Sequence, residues 1–102
     1  MGCATTPTME SVVGTYEAKD DGTTFKLVLI ENGIGEWYLD GKKEQEYKWI
    51  IVNGELHVEA GDGIILVFRI NKDGSITAVA GLDKDGREEV PKDKQITANK
   101  IK

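Results

Sequence analysis

Apolar and polar residues alternate with a period of two along most of this chain, which is the pattern of half-buried β-strands. In segment 55–60, Leu56, Val58 and Ala60 occupy one face, while His57 lies between two glutamates on the other. The same period gives further apolar faces: Phe25, Leu27 and Leu29; Tyr47, Trp49 and Ile51; Ile64, Leu66, Phe68 and Ile70; and Ile76, Ala78, Ala80 and Leu82. No window shows an apolar period of 3.6 residues over three turns, so the pattern predicts no helix.

Asp-Gly or Asn-Gly pairs separate these segments at a steady spacing. The glycines of the pairs lie 8 to 13 residues apart, at Gly22, Gly33, Gly41, Gly54, Gly63, Gly74 and Gly86. Such pairs favour hairpin turns of type I′, because both central residues of that turn have positive φ. The spacing predicts about eight strands, over residues 11–19, 23–31, 34–40, 43–53, 55–61, 63–72, 75–82 and 94–101. The charged stretch 83–94 alternates poorly, and Pro91 in it fits a loop or an edge strand better than a central strand.

These elements predict an all-β fold. A single antiparallel up-and-down meander of about eight strands is expected to close into a small barrel, because closure removes the exposed edges of the sheet. A chain of 102 residues has room for one core. We therefore expect one barrel domain over residues 11–102, preceded by a flexible tether over residues 1–10 that is small, polar and proline-containing.

Charge and composition exclude several functions. Thirteen basic against 18 acidic residues give a net charge of −5, which has the wrong sign for nucleic-acid binding. One cysteine and one histidine cannot build a disulfide framework or a structural zinc site, so no metal or cofactor is expected. No apolar run approaches the length of about 18 residues that a membrane span requires.

Cys3 follows Gly2 at the start of the predicted tether, and three interpretations of this pair stay open. In the first, Gly-Cys ends the lipobox of a bacterial lipoprotein signal and Cys3 is the acylated residue. In the second, Gly2 with Thr6 matches a myristoylation pattern and Cys3 is palmitoylated. In the third, the tail is unmodified. The first interpretation predicts a lipid-anchored protein of the bacterial cell envelope that faces the periplasm or the exterior.

A further set of residues carries a family resemblance. The set comprises Gly14-x-Tyr16, Leu27-Val28-Leu29 ahead of Asn32-Gly33, Trp49 followed by Gly54-x-Leu56, Phe68-x-Ile70, and Asp73-Gly74-Ser75-Ile76. In these residues the chain resembles small bacterial lipoproteins with lipocalin-like or NlpE-like β-barrel domains, which implies a lipocalin-like barrel. NlpE-like proteins are associated with copper tolerance and carry a Cys-x-x-Cys motif, which this chain lacks, so no copper role is implied. Segment 32–41 also resembles part of a MORN repeat.

Several predicted strands carry apolar residues on the face opposite the core. These candidates for an interaction surface are Val28, Ile30, Ile50, Val52, Ile65 and Val67. An antiparallel sheet with one wet face should be polar there. A contiguous outer apolar patch would therefore predict a partner or self-association, while burial of both faces or scattered exposed aliphatics are the alternatives.

The barrel interior offers a second candidate site. Its predicted lining residues are Phe25, Trp49, Leu66 and Phe68. An interior wide enough for a small apolar molecule would make the protein a lipocalin-like carrier. We expect the leading function to be a non-enzymatic interaction or structural module of the envelope, with the carrier as the alternative.

Catalytic and calcium-binding roles are not expected. His57 is predicted to be a solvated surface residue without a positioned nucleophile. Asp83 and Asp85 resemble the start of a calcium loop, but position 12 of that loop is Lys94 rather than glutamate. Type I′ turn chemistry already accounts for the Asp-Gly pairs.

Overall fold

The computed structural model describes residues 9–61 and 63–102, which form an antiparallel β-barrel. A helical turn, α1 (Met9–Val12), precedes the first strand, and a short 3₁₀ turn (Lys92–Lys94) precedes the last. The strands are β1 (Gly14–Asp20), β2 (Thr23–Leu29), β3 (Ile34–Leu39), β4 (Lys42–Val52), β5 (Glu55–Glu59), β6 (Ile65–Ile70), β7 (Ile76–Asp83), β8 (Gly86–Glu89) and β9 (Thr97–Lys100).

Eight of these strands close the barrel. Strands β1 to β7 pair with their neighbours in chain order, and β9 then pairs with both β7 and β1. The extra strand, β8, pairs with the second half of β7, beyond the two residues of β7 that pair with β9. The predicted all-β fold and its closure into a barrel are confirmed.

Strand β8 lies inside the stretch 83–94, for which the sequence leaves a loop or an edge strand open, and it is an edge strand paired with β7. All four of its residues are charged or glycine and all are exposed, so no apolar period marks it. In the sequence, only the Asp85-Gly86 pair indicates the β7–β8 hairpin. The last predicted strand, 94–101, is correspondingly shorter in the structure, because the 3₁₀ turn occupies its beginning.

The main core fills the barrel from one end. Its buried residues are Val12, Tyr16, Leu27, Leu29, Trp49, Leu56, Val58 and Ile76. The Tyr16 hydroxyl donates a hydrogen bond of 2.6 Å to the Val12 carbonyl, and burial raises the pKa of Tyr16 to about 12. Because Val12 belongs to α1 and packs into the core, α1 covers the end of the barrel at which Leu29 and Leu56 lie.

A bulge in β7 contradicts the prediction of which residues share one face of that strand. Phe68 pairs with Ala78, but its neighbour Val67 pairs with Ala80, so β7 has one extra residue at this point. Directly opposed residues share a face, and consecutive residues on β6 do not. Ala80 therefore shares the outer face with Val67, and the prediction that Ala80 and Leu82 continue the face of Ile76 and Ala78 is wrong. Val67, Val79 and Ala80, with Leu82 against them, form a second apolar cluster outside the barrel.

Five of the seven Asx-Gly turns divide into two kinds. At Asp21-Gly22, Asp40-Gly41 and Asn53-Gly54 both residues have positive φ, which agrees with the predicted type I′ hairpins. At Asn32-Gly33 and Asp73-Gly74 only the glycine does, and the hydrogen bonds enclose a three-residue loop. Each of these five pairs follows a strand as predicted, although the turn type differs.

Candidate functional site

An apolar groove lies on the outer face of strands β4, β5 and β6. It has a volume of about 370 Å³ and is lined by Gly33, Lys48, Trp49, Ile50, Val52, His57, Glu59 and Ile65. The outward residues of β4 alternate with buried Trp49, and Ile50 pairs with His57 across the strands. The Ile50 residue is 54% exposed, the largest value among the exposed large apolar residues that the structure describes.

Three of the predicted interaction residues meet in this outer groove: Ile50, Val52 and Ile65. Val67 does not contribute an exposed surface, since it is fully buried in the second cluster; its prediction as an exposed residue is corrected. Val28 pairs with Thr15 and Glu36 on another part of the barrel, and Ile30 lies in the loop after β2. Whether the groove binds a partner stays a prediction.

His57 is less exposed than the sequence predicts. Only 13% of its side chain is accessible, and its Nε2 is buried without a hydrogen-bond partner. This atom lies 3.7 Å from Oε1 of Glu55. The prediction of a solvated histidine is therefore wrong, and the imidazole instead forms part of the wall of the outer groove.

Glu55 is bound by an arginine from the far end of the chain. The Nη1 and Nη2 atoms of Arg87 donate hydrogen bonds of 3.0 and 3.1 Å to the two carboxylate oxygens, and Arg87 Nε also pairs with Glu89. Arg87, and to a smaller extent His57, lower the pKa of Glu55. Sequence reasoning did not find this group, because 32 residues separate its two main members and one lies on a strand without an apolar pattern.

A smaller cavity remains inside the barrel. Its volume is about 190 Å³, and it is lined by Leu27, Trp37, Tyr47, Val58, Leu66 and Phe68. Inward positions recur every second residue along a strand. Leu27, Tyr47 and Val58 therefore lie one inward position further from α1 than Leu29, Trp49 and Leu56 on the same strands.

Two of the four predicted ligand residues, Leu66 and Phe68, line this interior cavity. Phe25 does not line it, but its ring centroid lies 5.5 Å from that of Trp37, which does. Trp49 is buried one layer away, and its indole N–H lies within hydrogen-bond distance of two loop carbonyls, those of Ile30 (3.1 Å) and Ile34 (3.0 Å). The cavity tryptophan is therefore Trp37.

The remaining predicted sites are placed as follows. Cys3, the predicted lipidation residue, lies outside the described residues. Across 9–61 and 63–102, no three His, Cys, Asp or Glu side chains group as metal ligands would. The Asp83 carboxylate accepts a hydrogen bond of 2.8 Å from the Asp85 backbone N–H, so it serves the β7–β8 turn. No helix in the described part of the chain has the length and apolarity of a membrane span.

The fold defines the chain as an antiparallel β-barrel of eight strands with one added strand. Comparisons with protein-family models, curated proteins and solved structures find no match to it. The proposals below therefore depend on the residues and their geometry.

Proposed function

We propose that this chain is a non-enzymatic binding module of the bacterial cell envelope, and that its outer groove docks a partner protein. The observation that carries the proposal is the contiguity of Ile50, Val52 and Ile65 on an outer face that an isolated barrel would keep polar. Binding is favoured over catalysis because the groove wall is mainly apolar and the Nε2 of His57 is buried.

The partner we propose inserts one aliphatic or aromatic side chain and carries positive charge around it. A groove of about 370 Å³ is large enough for one such anchor side chain, and anchors of this kind dominate many interfaces. Lys48 and Glu59 both line the groove and Arg87 pairs with Glu55, so the charges nearest the groove balance, whereas the whole chain has a net charge of −5. A basic partner would therefore be attracted over a distance by the charge of the whole chain.

Peptide titration tests this docking proposal. A short capped peptide with a central tryptophan between lysines should shift the methyl resonances of Ile50 and Ile65, and a matched peptide with glutamates should bind more weakly. Ile50→Ser should abolish the shifts, whereas Ile96→Ser, at a residue that is 38% exposed and outside the groove, should not. Equal binding of both peptides, or shifts that depend only on protein concentration and so indicate self-association, would contradict the proposal.

The envelope location rests on the Gly2-Cys3 pair and on the resemblance to lipocalin-like and NlpE-like lipoproteins. We propose that Cys3 carries the lipid that anchors the domain. Expression of the native gene with an alkyne-tagged fatty acid should label the protein at Cys3, and Cys3→Ser should remove both the label and the membrane association. Labelling that survives Cys3→Ser would refute this assignment.

The interior cavity favours a second candidate function, that of a carrier for a small apolar molecule. Its six lining residues are aliphatic or aromatic, and Trp37 is among them. An uncharged probe such as n-decanol should therefore change the emission of Trp37. Unchanged emission and unchanged amide spectra up to the solubility limit of the alcohol would remove the carrier function.

A further inference from the structure

The interior cavity adjoins a groove on the outside of the barrel mouth, since the two share a lining residue. Leu66 lines the cavity and also lines a groove of about 310 Å³ beneath the β7–β8 hairpin. The groove residues are Ile64, Leu66, Ala80, Gly81, Leu82, Asp83, Glu88, Glu89, Val90 and Pro91. Ile64 is 44% exposed and Leu66 38% exposed, so large apolar side chains reach solvent at this junction.

Gly81 lies beside Leu66 and also lines the groove. It pairs directly with Leu66, and directly opposed residues share a face, so Gly81 holds the inward position of β7 beyond the bulge. A Cβ atom at this glycine would meet nothing closer than the Ile65 carbonyl oxygen at 4.0 Å. The wall of the barrel therefore lacks a side chain beside Leu66.

The far side of this mouth groove is fixed in place. The Val90 N–H donates a hydrogen bond of 2.8 Å to the Val79 carbonyl, and the Gln95 side chain donates one of 3.1 Å to the Val90 carbonyl. These bonds hold Val90 and Pro91 against β7 and give the groove a second apolar wall. Cavity and groove together reach the range of roughly 300–1,000 Å³ that small-molecule sites occupy, which the cavity alone does not.

The polar residues of the mouth groove have one sign. Asp83, Glu88 and Glu89 are carboxylates, and none of the described residues that line the groove is Lys or Arg. Glu89 is partly neutralised by Arg87, and Asp83 accepts the turn hydrogen bond, but both keep a negative charge at the rim. A ligand with an anionic end would be repelled there, and one with a cationic end would be attracted.

We propose that cavity and mouth groove form one site for a single-chain amphiphile, whose apolar chain enters past Leu66 and whose cationic end group lies at the rim formed by Asp83 and Glu88. This inference rests on the proposed carrier function and specifies its ligand class. A narrow apolar chain suits this site better than a compact ring system, because it can pass Leu66 where Gly81 presents no side chain.

Three probes with the same ten-carbon chain test the proposal: n-decyltrimethylammonium, n-decanol and n-decanoate, each below its aggregation concentration. Trp37 emission and calorimetry should give the cation the highest affinity, about tenfold above decanoate at low salt, where an order of magnitude corresponds to about 1.4 kcal/mol. This preference should shrink as the salt concentration rises, because exposed charges are screened.

Two variants locate the site. Gly81→Leu should fill the space beside Leu66 and lower the affinity for all three probes at least about tenfold. The variant should fold normally, because Gly81 does not have a positive φ. Glu88→Gln should reduce only the preference for the cation, whereas Glu31→Gln, at an exposed glutamate in the loop after β2, should leave it unchanged. A thermal melt of each variant controls for folding.

The outcomes separate the two proposals. Binding of decanol without a head-group preference, or with full affinity in Gly81→Leu, would overturn the mouth site and leave the carrier function standing. Failure of all three probes to change Trp37 emission or to release heat would overturn both.

Discussion

Both terminal nitrogens of Arg87 donate hydrogen bonds to the Glu55 carboxylate, at 3.0 and 3.1 Å. The two residues lie on strands that are three strand-to-strand steps apart in the barrel. Arg87 lies on β8, Glu55 on β5, and β6 and β7 lie between them in the sheet order. On β6, between these two strands, the outward residue Val67 is fully buried. An arginine stem that bridges strands in this way can cover apolar surface of this kind.

The first prediction concerns the hairpin that carries Arg87. Arg87→Ala should release β8 from β5 and so speed hydrogen exchange at the Val90 amide, which is bonded to β7. Amides of β2 and β3 should keep their exchange rates. Arg69→Ala removes an exposed arginine whose Nε bonds to Asn71 instead, and it serves as the matched control. Equal acceleration in both variants would show that the Arg87 contact does not hold the hairpin.

The same contact predicts a dependence of stability on pH. Arg87 lowers the pKa of Glu55 in the folded chain, so this carboxylate stabilises the fold fully above the ordinary range of glutamate. Its contribution is lost as the pH falls through the lowered pKa of the folded state. Thermal midpoints measured between about pH 7 and about pH 3 should therefore fall more steeply in the wild type than in Glu55→Gln. Parallel curves would contradict this assignment.

A further prediction follows from the buried indole of Trp49. Its N–H lies within hydrogen-bond distance of the carbonyls of Ile30 and Ile34, which flank the loop between β2 and β3. Trp49→Phe removes this donor while each carbonyl keeps a backbone donor, so it should lower the free energy of unfolding by about 0.5–1.5 kcal/mol. Urea denaturation measures the loss. Trp37→Phe is the control, because Trp37 is only partly buried beside the interior cavity, and it should cost less.

Much of this fold is predictable because its signals are local. The two-residue period and the Asx-Gly pairs depend on neighbours in the chain, and both survive into the structure. The bulge in β7 is different, since one extra residue at Val79 reverses the facing of Ala80 and Leu82. Its position depends on the pairing with β6, which the alternation of β7 alone does not contain.

The candidate sites were predictable to the extent that they depend on which face of a strand each residue occupies. Ile50, Val52 and Ile65 come together because outward aliphatics on adjacent strands must be neighbours. The distinction between the two tryptophans has another origin. Trp49 lies in the layer covered by α1 and Trp37 lines the space left open further from it, so the difference depends on which end of the barrel the chain covers.

The seam that closes the barrel is short, and one glycine lies against it. Only two residue pairs join β1 to β9, Tyr16 with Lys100 and Glu17 with Asn99. Backbone hydrogen bonds extend the seam, since the Thr15 N–H donates to the Lys102 carbonyl at 3.1 Å. Gly14 precedes Thr15, and a Cβ atom at Gly14 would overlap the Lys102 carbonyl oxygen.

Gly14→Ala should therefore loosen the closure of the barrel. Gly14 has a φ of +150°, so alanine adds backbone strain, and the overlap with Lys102 must also be relieved by moving the C-terminal residues. Gly22→Ala provides the matched control, because Gly22 has a φ of +79° but open space around its missing Cβ, and strain alone should cost about 1 kcal/mol. We expect a loss of about 2–4 kcal/mol for Gly14→Ala in urea denaturation, with faster exchange of the Thr15 and Ile101 amides. Equal losses in the two variants would show that the approach of Lys102 contributes nothing to closure.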